Sequence, residues 1–337
     1  MKPVIFIVIP CFRAEGKVGE VVKSILIASQ QFESVCEINI LVINDACPMN
    51  SWMEIEYNQK IKVVHHKVNS GVGASALTGF HLALEKGCNA VIKIDADGQH
   101  SAIYLRDIIA YLVSFPTSEL VLIKGSRYLF QIGSEKIPWA RKVGSLFLEP
   151  VARGALAYRG LTDISNGYIA MNRLTCRLLV GTKFGPKLNK RYLFESSLLV
   201  RSNFFDIPIY EVAMNACYGE DWKSSMEVKS MLLPLLSFWF KAGIFRIFNK
   251  YISRLNLGSL LLLISSLFSA TSINLFFTRI MPQVQLGIFV SAGTSSLFTT
   301  SSAIAILTML LFFLYDYNSG KQCKTLISPA FLDELGL

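Results

Sequence analysis

The stretch Ile92-Lys93-Ile94-Asp95-Ala96-Asp97-Gly98-Gln99-His100 sets an apolar run against two carboxylates one residue apart. Its first half reads as a strand over residues 90–94 that ends at Asp95. Two carboxylates at a strand end can share a divalent cation and the diphosphate it bridges, and their hard oxygens favour Mg²⁺ or Mn²⁺. A solvated turn with an Asp as helix cap explains the same spacing, so the neighbouring segments have to decide. Outward from this strand, residues 4–9, 38–43, 61–65 and 120–124 are further apolar runs, alternating with helical patterns at 17–29, 73–86 and 103–113. This alternation predicts an α/β domain with a mainly parallel, Rossmann-like sheet covered on both faces. Ligands bind beyond the carboxyl ends of such strands, which gathers Asp45, Asp95 and Asp97 on one edge.

Asp45 closes its strand after Asn44, where a carboxylate can accept from a base N–H or ribose hydroxyls, or simply close an Asx turn. Asn69-Ser70-Gly71-Val72-Gly73 is glycine-rich but fits neither common phosphate-loop pattern, and reads as a tight turn into a helix. His100 and Cys47 read as a strand-end turn and a packing residue.

The composition divides the chain. Of 337 residues 52% are hydrophobic and 17% charged, against about a quarter charged in ordinary soluble domains. The mean hydropathy is +0.43. Disordered, collagen-like and small disulfide-scaffold classes are excluded. The excess lies in two charge-free stretches, 24 residues between Arg254 and Arg279 and 36 between Arg279 and Asp316. Each exceeds the roughly 20 apolar residues that a membrane span needs, and Pro282 with Gln283-Val284-Gln285 marks a break between two helices. Small hydroxyl residues at 291–302 suit helix–helix contact in lipid.

The chain therefore reads as a 1–225 soluble domain, a 226–254 juxtamembrane segment, a 255–315 transmembrane hairpin and a 316–337 tail. Arg246, Lys250 and Arg254 recur at i, i+4, i+8, as in an amphipathic helix lying on anionic headgroups. Basic residues flank both spans, and the turn between them carries only Arg279. The positive-inside rule then places both termini and the soluble domain in the cytoplasm of a multi-pass inner (plasma) membrane protein. The first apolar run is too short for a signal peptide. Seven scattered cysteines without a C-x-x-C pair fit a reducing compartment.

Five segments in order, VIPCFRAEGKVGEVVKSI, LVINDACPMNS, VNSGVGASALTGF, IDADGQH and KGSRY, resemble family 2 glycosyltransferases of the GT-A fold. The likeness is to the polyprenyl-phosphate (dolichol-phosphate mannosyltransferase-like) sugar transferases. TDISNGYIAMNR, RYLFESSLLVRSNFFDIPIYEV and AMNACYGEDWKSS are similar to the downstream half of bacterial relatives associated with surface polysaccharides, so the resemblance covers residues 3–225. It implies that Pro10 and Glu15 line a nucleotide pocket and that Asp45 meets the base or ribose. Asp95, Asp97 and Gln99 then hold metal and diphosphate. Arg127, Arg141 and Ser145 meet the acceptor phosphate, with Asp97, Arg127 and Arg141 as the catalytic set. Asn44, where many members have a second Asp, and Cys47-Pro48-Met49, where Gly-Ser-Thr is usual, depart from the pattern.

Apart from the resemblance, Arg141 and Ser145 share a helix face, and arginine binds phosphate bidentately. A basic membrane-facing surface is the alternative explanation of these residues. Asp163 and Glu195 stay open between catalytic base and structural cap or ion pair. Glu220-Asp221 reads as a surface loop.

The expected reaction is inverting transfer of a sugar from a nucleotide diphosphate to polyprenyl phosphate, with Mg²⁺ or Mn²⁺. Attack by a sugar hydroxyl of a lipid-linked oligosaccharide is the alternative, and it requires a general base. A membrane-tethered nucleotide-sugar sensor is a third reading. The net charge of +9 is absorbed by the membrane approach and by an anionic acceptor, which leaves no call for nucleic acid. A homo-oligomer is left open.

Overall fold

Uninterrupted apolar sequence forms strand β1 (Val4–Cys11), buried at every residue after the first. Three strands follow: β2 (Glu37–Asn44), β3 (Ile61–His65) and β4 (Ala90–Lys93), with helices α1 (Val18–Gln30), α2 (Val72–Glu85) and α3 (Leu105–Ser114) among them. The computed structural model describes residues 2–129, 139–215 and 228–335. Beyond α3 come β5 (Leu122–Ser126), α4 (Trp139–Leu156), β6 (Ile169–Asn172), α5 (Arg173–Val180), α6 (Phe194–Phe204) and β7 (Ile209–Ala213). The last strand, β8 (Lys324–Leu326), precedes α11 (Pro329–Leu335), with four further helices, described below, before it. The sheet order is β8-β7-β5-β6-β4-β1-β2-β3, and only β6 runs against the others. A mainly parallel α/β sheet is thus as expected.

Register fixes the functional edge. Cys11 lies opposite Asn44 and Val8 opposite Lys93, so β1, β2 and β4 point their carboxyl ends to one edge, β4 stopping three residues short of β1. The reversed β6 brings the turn before it to the same edge, where β5 and β7 also end. One face is sealed by Ile5, Ile7, Ile9 and Ile92 packed with Ile25 of α1 and Ile108 of α3, each burial contributing about 1.5–3 kcal/mol.

Two compact units emerge: Met1–Phe240 with Gln322–Leu337, and Lys241–Lys321. Within the 316–337 tail, residues from Gln322 onward fold with the sheet domain. Its strand β8 pairs with β7, and Ala330 and Phe331 are buried in the sheet domain. Asp107 of α3 accepts from Ser328 Oγ at 2.6 Å and from the Ala330 N–H at 3.0 Å, capping α11. The physical reason is an edge: β7 offers unpaired backbone, and a short extended segment followed by apolar residues fills it.

Helix α7 (Val228–Ile247), whose last residues from Lys241 open the second unit, leads through a π-turn at Phe248–Ile252 into α8 (Leu257–Leu275). Helix α9 (Met281–Gln285) continues the same rod, and α10 (Ala292–Asn318) returns. Leu257–Gln285 and Ala292–Asn318 are long and apolar enough to cross a membrane. The break expected at 282–285 falls instead at 286–291, since the helix runs on through Pro282, just after a π-turn at Phe276–Ile280, to Gln285. Hydroxyls stitch α8 to α10: Ser265 Oγ donates to Ala305 O at 2.9 Å, and Ser272 and Ser302 meet at 2.6 Å.

The basic face expected from Arg246, Lys250 and Arg254 is also corrected. Arg246 is buried and grips Asp316 through two 2.7 Å bonds, Tyr251 donates to the same carboxylate at 2.5 Å, and Lys250 reaches Ser319 Oγ at 2.9 Å. Asp316 is the acid that ends the charge-free stretch, and the π-turn shifts the helical period beneath it.

Candidate functional site

At the end of β2, Asp45 is 2% exposed. It accepts from the Ser70 N–H at 2.9 Å and the Gly71 N–H at 2.7 Å, and lies 2.7 Å from His66 Nδ1. The carboxylate expected to meet a base or ribose therefore holds the 69–73 turn. Gly71 sits at φ +98°, and a Cβ there would stand 2.5 Å from Lys190 O. A Cβ on Gly73 would overlap Asn189 O. Both glycines exist so that the 189–191 backbone can pass against the turn, where the Ala74 N–H donates to Lys190 O at 2.9 Å. Asn44 contributes locally by accepting the Cys47 N–H at 3.0 Å. Pro10 is buried at the end of β1 and Glu15 is exposed just beyond it.

Asp95 and Asp97 follow β4 at the same edge. Gln99 folds back on Asp97, its backbone N–H donating at 3.0 Å and its amide at 2.7 Å. Asp95 is held by a residue to which the sequence reading assigned no role. Lys93 is 0% exposed. Its ammonium donates to Asp95 Oδ1 at 2.5 Å, Glu195 Oε1 at 3.0 Å and Gly167 O at 3.2 Å. Burial raises the Asp95 carboxyl, but Lys93, helped by His100, outweighs it and leaves the group below its ordinary value. His100 Nδ1 accepts the Asp95 N–H at 3.2 Å, and burial pushes the imidazole below its usual range. Its expected turn role is thereby given a partner.

After β5, Arg127 makes a two-pronged pair with Asp163, Nε to Oδ2 at 2.8 Å and Nη2 to Oδ1 at 3.0 Å, and reaches Ser165 Oγ at 3.1 Å. Asp163 is fully buried. Burial works to raise its carboxyl, yet Arg127 and Lys124 hold it well below the carboxylate range. Arg127, expected at the acceptor phosphate, has its charge matched by Asp163. Asp163, left open between base and ion-pair partner, is ion-paired with Arg127 here. Lys124 donates to Asp163 O, and Glu211 of β7 accepts from the Thr162 and Asp163 N–H groups at 2.9 and 3.1 Å. The edge is therefore built on buried charge at Lys93, Lys124, Asp163 and Glu211, joined by the partly exposed Glu195. Its sequence signal was a lysine inside each of two apolar strands, since lysine is seldom buried unless paired.

On α4, Glu149 is buried, and burial followed by Asp163 pushes its carboxyl up to about 8 despite Arg153 at 3.1 Å. The side chains of Arg141 and Ser145, two turns and one turn before it, lie outside the described residues, as do Glu220 and Asp221.

The residues at β4 fit a divalent cation bridging a diphosphate. Mg²⁺ is commonly held by one or two carboxylates plus substrate phosphates, without an all-protein cage. Accordingly, among the described residues no group of three or more His, Cys, Asp or Glu side chains is arranged for a metal. Asp95 turns Oδ1 to Lys93, while Oδ2 lies 3.8 Å from His100 Nδ1. Gly167 leaves this oxygen its space, for a Cβ there would overlap Asp95 Oδ2.

Comparison with known proteins agrees with this geometry. The model of glycosyl transferase family 2 matches residues 6–177, just over half of the chain. The chain is 28% identical over 182 residues to the polyprenol monophosphomannose synthase of Mycolicibacterium smegmatis, covering 52% of this chain and 66% of that protein. It is 27% identical over 209 residues to the undecaprenyl-phosphate mannosyltransferase of Micrococcus luteus, covering 58% and 78%. With the UDP-N-acetylglucosamine–dolichyl-phosphate N-acetylglucosaminyltransferase of Methanococcus voltae it shares 25% over 233 residues, covering 64% and 86%.

Proposed function

The chain belongs to glycosyltransferase family 2, and from that premise we propose that it transfers a sugar from a nucleotide diphosphate to a polyprenyl phosphate, undecaprenyl phosphate in a bacterial membrane. One observation carries the choice of acceptor. The two acids that could have served as general base, Asp163 and Glu195, are both tied to buried cations, Arg127 and Lys93. A sugar hydroxyl needs its proton removed as it attacks. A phosphate monoester, with a second pKa of about 6, is already mostly ionised at neutral pH. Glu149, raised to about 8, holds its proton at neutral pH and is no base either.

In this reading a lipid phosphate oxygen attacks the anomeric carbon, the bond from that carbon to the nucleotide diphosphate breaks, and configuration inverts. Asp95, Asp97 and Gln99 form the diphosphate edge. Mg²⁺ or Mn²⁺ held by Asp95 and Asp97 supplies charge stabilisation for the departing diphosphate. Pro10 and Glu15 border the donor pocket, and Asp45 keeps its 69–73 wall in place. Arg141, with Ser145 on the same helix face, meets the acceptor phosphate. Arg127, locked by Asp163, stiffens the edge between them.

In this reading the helical hairpin tethers the chain to the membrane that holds the acceptor. Residues before and after the hairpin belong to one folded unit, which supports two crossings with both ends on one side. The basic flanks favour the cytoplasmic side of the plasma membrane.

Membranes containing the full chain, given labelled nucleotide sugars, Mg²⁺ and undecaprenyl phosphate, are expected to form an acid-labile sugar lipid. Label appearing only on a preassembled oligosaccharide lipid would overturn the proposal.

A further inference from the structure

A lysine beside a metal-ligating carboxylate is electrostatically awkward. Lys93 is wholly buried, and its ammonium stands 2.5 Å from Asp95 Oδ1. Taken alone, the pair sums to zero charge and would offer a divalent cation little attraction. The third member changes the sum. Glu195 Oε1, 3.0 Å from the same ammonium, brings the trio to one net negative charge, and Asp97 adds a second at the turn. The other charged groups facing this point do not alter the count. Arg127 is matched by Asp163, and His100 uses Nδ1 to accept the Asp95 N–H.

The placement of Glu195 is built from distant sequence. It stands in the first turn of α6, which follows the 189–191 segment lying against Gly71 and Gly73. The remaining Lys93 proton goes to Gly167 O at 3.2 Å, so its three donors have three acceptors and the ammonium cannot swing away. Asp95 is thereby fixed with Oδ1 inward, leaving Oδ2 for a ligand.

We infer that Glu195 is a positioning residue which balances the buried Lys93 ammonium, so that the Lys93–Asp95–Glu195 cluster keeps a net negative charge toward a cation-bound nucleoside diphosphate. The inference rests on the reading of Asp95 and Asp97 as the cation edge, but not on the identity of the acceptor.

The test is Mn²⁺ affinity of the full chain in detergent micelles, followed by electron paramagnetic resonance in the presence of UDP or GDP. Glu195→Gln keeps the shape and removes one charge. It is expected to weaken Mn²⁺ binding about tenfold, the size of a unit charge acting over several ångströms of partly shielded protein. The Mn²⁺ concentration for half-maximal turnover should rise by the same factor, while kcat at saturating Mn²⁺ stays near the wild-type value. The double variant Lys93→Met/Glu195→Gln restores the net charge and is expected to recover most of the affinity. Unchanged Mn²⁺ affinity in Glu195→Gln would overturn the inference. So would a double variant that folds but binds more weakly than the single one. Wild-type chain that binds no Mn²⁺ with either nucleotide would overturn the cation reading and this inference with it. A polyprenyl-phosphate reading that fails in the membrane assay leaves these titrations unaffected.

Discussion

In the sheet domain a single buried cation, Lys93, lies between two carboxylates, whereas in the hairpin unit two cations, Arg246 and Lys250, converge on one, Asp316. Both clusters obey the rule that buried charge is paired, but the surplus has opposite sign. At the sheet edge one negative charge is left over, which suits a cation carrying a diphosphate. In the hairpin unit one positive charge is left over on Lys250, the more exposed of its two cations, which suits an anionic headgroup layer. The stoichiometry of a buried cluster thus says more about its ligand than the presence of any one residue in it.

The comparison breaks most visibly at Asp316. Asp316→Ala leaves Arg246 buried without a carboxylate, and removal of one partner from a buried pair costs about 3–5 kcal/mol. Thermal unfolding of the full chain in micelles should show this loss, and Arg246→Met/Asp316→Leu should recover much of it. A melting temperature unmoved by Asp316→Ala would mean that the hairpin cluster contributes nothing to stability.

Asp163 gives the next largest effect. Asp163→Asn keeps an acceptor for Arg127 but removes the charge, at a cost of about 2–3 kcal/mol near neutral pH. The sign of its pH dependence follows from the depressed carboxyl. A carboxyl lowered on folding stabilises above its unfolded value, roughly pH 4, and that stabilisation drains away as pH falls toward the folded value. The gap between wild type and variant should therefore be widest at neutral pH and narrow on acidification below about pH 4. A gap constant with pH would show that the pair acts through packing alone.

What the sequence disclosed follows from the range of each interaction. Strands β1 to β5 announce themselves because each is a local apolar run bounded by turn residues. Segment 324–326 does not, since three residues become a strand only by pairing with β7 across the whole hairpin. The site divides in the same way. Asp95, Asp97 and Gln99 are legible as one short motif. The partnership of Arg127 with Asp163, and of Lys93 with Glu195 at a separation of 102 residues, is set by how β6 and α6 return to the edge. A lone residue could suggest a cation or a base there, but not which carboxylate had already claimed it. The basic period at 246, 250 and 254 misled for a related reason: the acid that captures Arg246 stands on another helix.

Glu149 sharpens the comparison from the sheet side, because it is a buried acid near the edge whose charge is suppressed. Its carboxyl is raised to about 8, so the folded protein binds this proton more tightly than the unfolded chain. Stability is then full below about pH 4.5 and falls as pH rises toward 8. Glu149→Gln removes the penalty. It should unfold with wild type at pH 4.5 and be more stable by roughly 1–2 kcal/mol at pH 9, allowing for the screening by Arg153. If the two proteins keep the same difference at both pH values, Glu149 is not held neutral.

Asp107 supplies the smallest effect and the control for both clusters, because its carboxylate chiefly serves neutral donors. It caps α11 through Ser328 Oγ and the Ala330 N–H and meets Arg106 Nε at 3.3 Å, while Tyr111 donates to Ile327 O at 2.6 Å nearby. Loss of such a cap costs about 1 kcal/mol. Because the cap holds only the returning segment, the loss should be local. In Asp107→Ala, hydrogen exchange is expected to speed up at 324–335 while β1, β2 and β4 keep their protection. Equal acceleration across the sheet would mean that β8 and α11 unfold only with the whole domain.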